Sequence, residues 1–237
     1  MFLANFLLSK IVYFSYSNET NLKNNYKISQ QHLLSLRNTN FNHDRKHNTC
    51  PYLSNLVQIL FNNKSFYFLD YGCGNLDLYT ELSKVTKVNY LIHDQKEIIN
   101  AINYVIKNQN LQNIHSYESY KNKKLDFLYF GASYQYIENV EEIITNDSFL
   151  LNSKYIFLSG IILYKKFDKN KFIVLQHNVK GNKKLYFHKE NYLINFFKNN
   201  NYKIVFNEKN NSDKYINFNN FDELDLKYSD ILFKKND

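Results

Sequence analysis

Apolar residues fall into two rhythms along this chain. Short continuous runs such as Phe66, Tyr67, Phe68 and Leu69 fit strands buried on both faces, whereas Ile98, Ile99, Ile102, Val105 and Ile106 recur at helical spacing with polar residues between them. Reading the two rhythms in order predicts strands over 66–70 and 87–93, a helix over 95–108, a short strand over 113–117 and a buried strand over 125–131. A helix over 140–150 and a strand over 154–163 come next. After an irregular segment come a helix over 189–200 and two late strands over 202–208 and 230–234. Strands separated by helices imply right-handed βαβ units. The pattern therefore predicts an α/β chain with seven strands in one mainly parallel sheet and no clear helical stretch between the last two.

The first buried run ends in Asp70 and breaks at once into Gly72 and Gly74. Glycines there allow a tight turn and a close approach of backbone to ligand. A dinucleotide fingerprint would place a third glycine where this chain has Asp77, and an acid sits poorly against a pyrophosphate at a helix N-terminus. A carboxylate at Asp70 instead suits a ligand bearing an ammonium group. The next run ends in Asp94, at the spacing where an α/β cofactor site places an acid on ribose hydroxyls, although Asp94 also suits a helix N-cap. His93 reads as a strand residue near the rim, since no Cys or acid stands at metal spacing with it.

The stretch Leu69-Asp70-Tyr71-Gly72-Cys73-Gly74 resembles motif I of the class I S-adenosylmethionine-dependent methyltransferases, with Leu76 where that family usually carries a third glycine. The stretch Gly131 to Asn139, containing Ser133, Gln135, Tyr136 and Glu138, resembles methyltransferases of bacterial O-antigen and capsule gene clusters, as does the segment Ile173 to His177. The resemblance covers roughly residues 66–209. It implies a Rossmann-like, seven-stranded, mainly parallel α/β sheet with helices on both faces and a C-terminal antiparallel hairpin, and S-adenosyl-L-methionine as cofactor, held by Asp70, Gly72, Cys73, Gly74, Asp94, Gln95 and Ser133; no metal cluster is expected. It further implies an acceptor pocket at Gln135 and Tyr136, with His177 as candidate general base because an imidazole titrates near working pH. Tyr134 and His188 are weaker candidates, His188 reading as a capping or surface residue at a helix start. The expected reaction is O-methylation of a sugar or sugar nucleotide for a surface glycan. An inactive Rossmann module that binds a partner and an RNA methyltransferase are the alternatives.

Composition changes this picture little. Of 237 residues, 21 are Tyr and 20 Phe, so an aromatic near a predicted site carries little information by itself. The net charge of +8 comes from lysines spread as singles and pairs, without a basic stripe, which leaves nucleic acid a runner-up partner behind a small-molecule or glycan acceptor. Two widely separated cysteines fit a reducing compartment, and the expected location is cytoplasmic.

The N-terminal 60 residues read as a helical extension and linker before a methyltransferase domain over 61–237. Met1 to Tyr16 is apolar but interrupted by Lys10, with no cleavage signature, and falls short of the ~20 residues that span a bilayer. The expectation is a packed helix there, no transmembrane span, and peripheral membrane contact left open. A helix over 30–36 and another running from Pro51 to about residue 61 complete the extension.

Overall fold

The computed structural model describes residues 13–17, 28, 30–38, 50, 52–62, 64–120, 123–166, 168–178, 181–209 and 225–237. In chain order the elements are β1 (Tyr13–Ser17), α1 (Gln30–Arg37), α2 (Leu53–Phe61), β2 (Phe66–Tyr71), α3 (Asp77–Val85), β3 (Val88–His93), α4 (Lys96–Asn108), β4 (Ile114–Ser116) and β5 (Phe127–Gly131). They continue with α5 (Val140–Asn146), α6 (Ser148–Leu151), β6 (Tyr155–Tyr164), β7 (Lys171–Asn178), β8 (Gly181–Lys189), α7 (Glu190–Asn199), β9 (Tyr202–Lys209) and β10 (Lys227–Lys235). Short 3₁₀ turns cover Tyr117–Ser119 and Tyr134–Tyr136.

Parallel strands run in the order β4-β3-β2-β5-β6. β10 lies antiparallel to β6, and β9 antiparallel to β10. These are the seven strands that the hydrophobic rhythm predicts, closed by the C-terminal hairpin that the family resemblance implies. Alternate positions along the strands feed opposite faces. Phe66, Phe68, Tyr90, Phe127 and Phe157 pack with Leu53, Val57, Leu82 and Ile102 on one side, while Leu69, Leu91, Leu128 and Ile156 pack with Ile144, Leu193 and Phe197 on the other. Many of the abundant aromatics are used here: Phe61 stacks on Phe66 at 3.9 Å and Phe68 on Phe127 at 5.2 Å between ring centroids.

Three further strands depart from the sequence reading. The segment expected to be irregular forms the antiparallel hairpin β7–β8, whose β8 end pairs in parallel with the end of β6 at Leu163↔His188 and Tyr164↔Lys189. β1 pairs antiparallel with β7, so 13–17 is strand where a helix was expected; residues 1–12 lie outside the described residues. Whether a segment of this length becomes strand depends on a partner edge, which local periodicity does not reveal. The helix expected over 140–150 is split, because the Asp147 side chain accepts from the N–H groups of Phe149 and Leu150 and starts a second helix.

α1 and α2 share the main core through Leu36, Leu53, Val57 and Phe61, so the described N-terminal elements pack as part of the same body. No helix among the described residues is long and apolar enough to cross a membrane.

β6 carries a bulge opposite β10, where Ser229 pairs with Ile161 but Ile231 with Leu158. Gly160 sits in the bulge at φ +64°, and its N–H donates to the buried Asp230 Oδ1 at 2.6 Å, which also accepts from Ser159 Oγ at 3.0 Å. Tyr52 OH donates to the other Asp230 oxygen and ties the approach to α2 into the sheet. Beside the bulge, the Ser159 carbonyl accepts from Ala132 N–H at 2.8 Å and so fixes the point where β5 leaves the sheet.

Candidate active site

β2 is the strand at which the sheet order reverses, with β3 on one side and β5 on the other. In open α/β sheets, the crevice beyond the carboxyl ends of such strands is where ligands bind. A cavity of about 440 Å³ opens there, within the range of small-molecule sites.

The loop after β2 forms the cavity floor and is stitched to the end of β3. Gly72 N–H and Cys73 N–H both donate to the His93 carbonyl, at 2.7 and 3.2 Å. Gly74 N–H donates to Asp94 Oδ2 at 2.7 Å, while Asp94 Oδ1 accepts from Gln95 N–H at 2.7 Å. Gln95, not Asp94, is the N-cap of α4. Gly72 and Gly74 both have positive φ, +82° and +63°, so both need the freedom of glycine. A Cβ on Gly74 would meet nothing within 4 Å, whereas one on Gly72 would lie 2.5 Å from Ser133 Cβ. The Ser133 hydroxyl donates to the Tyr71 carbonyl, which pins the exit of β5 to the exit of β2.

Leu76 caps α3 at a negative φ, −109°, with its side chain fully buried. That position makes no demand for glycine, and its apolar side chain is used in the core. Asn75 supplies the helix start, accepting from Asp77 N–H at 2.8 Å.

Of the residues singled out from sequence, Gly72, Gly74, Asp94, Gln95, Ser133 and Tyr136 line the cavity together. Three others lie behind it. Asp70 is buried and accepts from Tyr90 OH at 2.6 Å; burial pushes its carboxyl up to about 7, the Tyr90 bond opposing and the nearby Asp94 charge adding to the rise. Cys73 packs against the core, and burial together with Asp70 and Asp94 drives its thiol well up, away from a reactive thiolate. Gln135 is buried, its Nε2 donating to the Gly160 carbonyl at 3.4 Å on the β6 bulge. His177 stands in β7, paired with Asn182 and Tyr13; its side chain lies outside the described residues.

His188 is neither a cap nor a surface residue: it is fully buried on β8, and Lys189 is the N-cap of α7. Its Nδ1 lies 3.0 Å from Glu141 Oε1 and its ring packs on buried Tyr134 at 5.2 Å. Burial lowers the imidazole below its ordinary value, with Glu141 opposing and the Lys171 charge adding to the fall. Burial alone would raise Glu141, but His188 and Lys171 bring it below the usual carboxylate value. This cluster anchors the 3₁₀ turn that presents Tyr136.

The cavity wall also contains residues with no strong sequence signal. Tyr71 and His93 are paired across β2 and β3 with ring centroids 4.2 Å apart, and the rim position expected for His93 is part of the wall. Gly131 and Ala132 line the β5 exit; Ala132 holds φ +55°, a strained value for a residue with a Cβ. Ile28 and His32 enter from the N-terminal segment, and Lys183 from β8. Only the glycine after a buried strand could have been flagged in advance; the rest arrive through tertiary packing.

Strand order, reversed hairpin and glycine loop together define the class I S-adenosylmethionine-dependent methyltransferase fold. Among solved structures, the N-terminal domain of EvdMO1, crystallised in the presence of SAH and D-fucose, matches with a TM-score of 0.54 at 8% identity over 81% of this chain and 84% of that one. A protein from Listeria monocytogenes, provisionally assigned as an S-adenosylmethionine dependent methyltransferase, matches with a TM-score of 0.51 at 9% identity over 73% and 92%. At such identities the similarity is one of fold. No protein-family model and no curated protein sequence matches the chain.

Proposed function

We propose that the chain is an S-adenosylmethionine-dependent methyltransferase that methylates an oxygen of a small hydroxylated acceptor, a sugar or sugar nucleotide. One observation carries the cofactor reading: the glycine loop and the Asp94 carboxylate are bonded to each other in the wall of one ligand-sized cavity at the switch point. The residues fit the cofactor. Gly74 opens onto free space, so a ligand can approach the backbone closely, and Asp94 keeps spare lone pairs for a ribose diol after accepting from two N–H groups. Ile98 in the wall offers an apolar surface for a base. When bound, the cofactor supplies an electrophilic sulfonium methyl group. The protein's part is to position the acceptor in line and exclude water. The sugar reading draws support from the D-fucose present with the EvdMO1 domain on the same fold.

Calorimetry and thermal shift test the reading. S-adenosylhomocysteine is expected to bind and stabilise the protein, and NAD and NADP are not; the reverse ranking would move the chain to the oxidoreductases. Asp94→Ala is expected to weaken S-adenosylhomocysteine binding roughly 10- to 100-fold, the cost of a lost charge-assisted partner. Unchanged affinity in a folded Asp94→Ala protein refutes the ribose role. A labelled-methyl screen of sugars and nucleotide sugars then tests the acceptor.

A further inference from the structure

We propose that the acceptor carries an anionic group, carboxylate or phosphoryl, and that Lys183 on the β7–β8 hairpin receives it. The proposal rests on the methyltransferase reading and concerns the part of the same cavity where Lys183 meets Tyr136. Two observations support it: the charge of the wall, and the charge of the hairpin that carries Lys183.

The only carboxylate among the described residues of the wall is Asp94, at the glycine-loop end, where both of its oxygens already accept backbone N–H groups. The other ionisable groups among the described residues of the wall, apart from the Tyr71 and Tyr136 phenols, are the His32 and His93 imidazoles and Lys183, so Lys183 is the one ammonium group there and Asp94 the one carboxylate. Lys183 is held in place there. Gln176 and Lys183 are cross-strand partners, and both engage Tyr136: Tyr136 OH donates to Gln176 Oε1 at 3.1 Å, and Lys183 Nζ lies 5.1 Å from the centre of the Tyr136 ring. The aromatic ring thus sets the position of the ammonium group at the cavity edge. An anion brought there gains a charge-assisted contact in a partly desolvated site.

The hairpin itself is basic throughout. Residues 171–189 contain five lysines and no Asp or Glu, in a chain with 22 acidic residues. Lys171 and Lys189 have carboxylate neighbours outside the hairpin, Glu141 at 3.4 Å and Asp168 at 4.0 Å. Lys183 and Lys184 are adjacent near the tip, and Lys183 is the one that lines the cavity. A neutral sugar has no use for such an element; a uronic acid or a sugar phosphate does. A nucleic acid could also be drawn to a basic hairpin, but Lys183 lines a cavity of small-molecule size, which favours a small anion.

The test is calorimetry on the full chain saturated with S-adenosylhomocysteine, titrated with glucose, glucuronate and glucose 1-phosphate. At least one anionic probe is expected to bind at least tenfold more tightly than glucose, and the two anions distinguish carboxylate from phosphoryl recognition. Lys183→Gln is expected to erase that preference, Lys183→Arg to retain most of it, and both to leave S-adenosylhomocysteine affinity unchanged. Equal affinity for the three probes, no binding of any, or a preference that survives Lys183→Gln would overturn the proposal. So would tighter binding of an RNA oligonucleotide that Lys183→Gln abolishes. Failure of the underlying reading shows separately, as an absence of S-adenosylhomocysteine binding to the unmodified protein.

Discussion

Replacing Asp70 by Asn is expected to leave stability nearly unchanged below pH 4 and to raise it by about 4 kcal/mol at pH 8. The Asp70 carboxyl is held up to about 7, chiefly by burial, with the nearby Asp94 charge adding and the Tyr90 hydrogen bond opposing. In the unfolded chain the same group titrates near 3.9. Below that value both states are protonated and the group's contribution is fully present. Between about pH 4 and 7 the unfolded state releases its proton while the folded state keeps it, so stability falls as pH rises through the folded value. A gap of about three pH units at ~1.4 kcal/mol each gives the total. An Asn side chain still accepts from Tyr90 OH and has no proton to lose, so the variant lacks this slope. Urea unfolding of both proteins at pH 4, 6 and 8 checks it. A stability difference that stays constant with pH would show that Asp70 is ionised in the folded state throughout.

Gly72→Ala is expected to destabilise the protein by about 3 kcal/mol and to weaken S-adenosylhomocysteine binding at least tenfold. Two costs add. An alanine at φ +82° carries roughly 1–2 kcal/mol of backbone strain. Its Cβ would also stand 2.5 Å from Ser133 Cβ and 3.0 Å from Ser133 Oγ, an overlap that forces the two loops apart at roughly 1–3 kcal/mol. Both loops line the cavity, so the same displacement reaches the ligand. Gly74→Ala separates the effects. There φ is +63° and the new methyl group meets nothing within 4 Å, so stability should fall by only about 1 kcal/mol while the methyl intrudes on the site. Denaturation midpoints and calorimetry on the two variants check the contrast. A Gly72→Ala protein as stable as the parent would mean that the loops part without cost.

Legibility in the sequence tracked the range of the interactions involved. The loop at Gly72 and Gly74, with Asp94 beyond it, could be read directly, because a buried strand that breaks into glycines and a second strand ending in an acid are local patterns with one sensible geometry. The same motif put Asp70 and Cys73 on the cofactor, and neither lines the cavity. Both lie in the motif, yet the chain turns them inward, and only packing against Tyr90 and the core decides that. Gln135 and Tyr136 are neighbours of similar promise in the sequence; the β6 bulge takes one and the cavity the other.

By itself, the sequence determined the alternation of buried strands and amphipathic helices, hence the parallel sheet and the place of the glycine loop. Those features arise from periodicity and backbone freedom, which act over a few residues. The tertiary structure alone decided that 171–189 is a hairpin, that 13–17 joins its edge, and that His32 and Lys183 meet Asp94 around one cavity. These depend on which strand edges find partners, a matter of long-range pairing that short-range pattern does not encode.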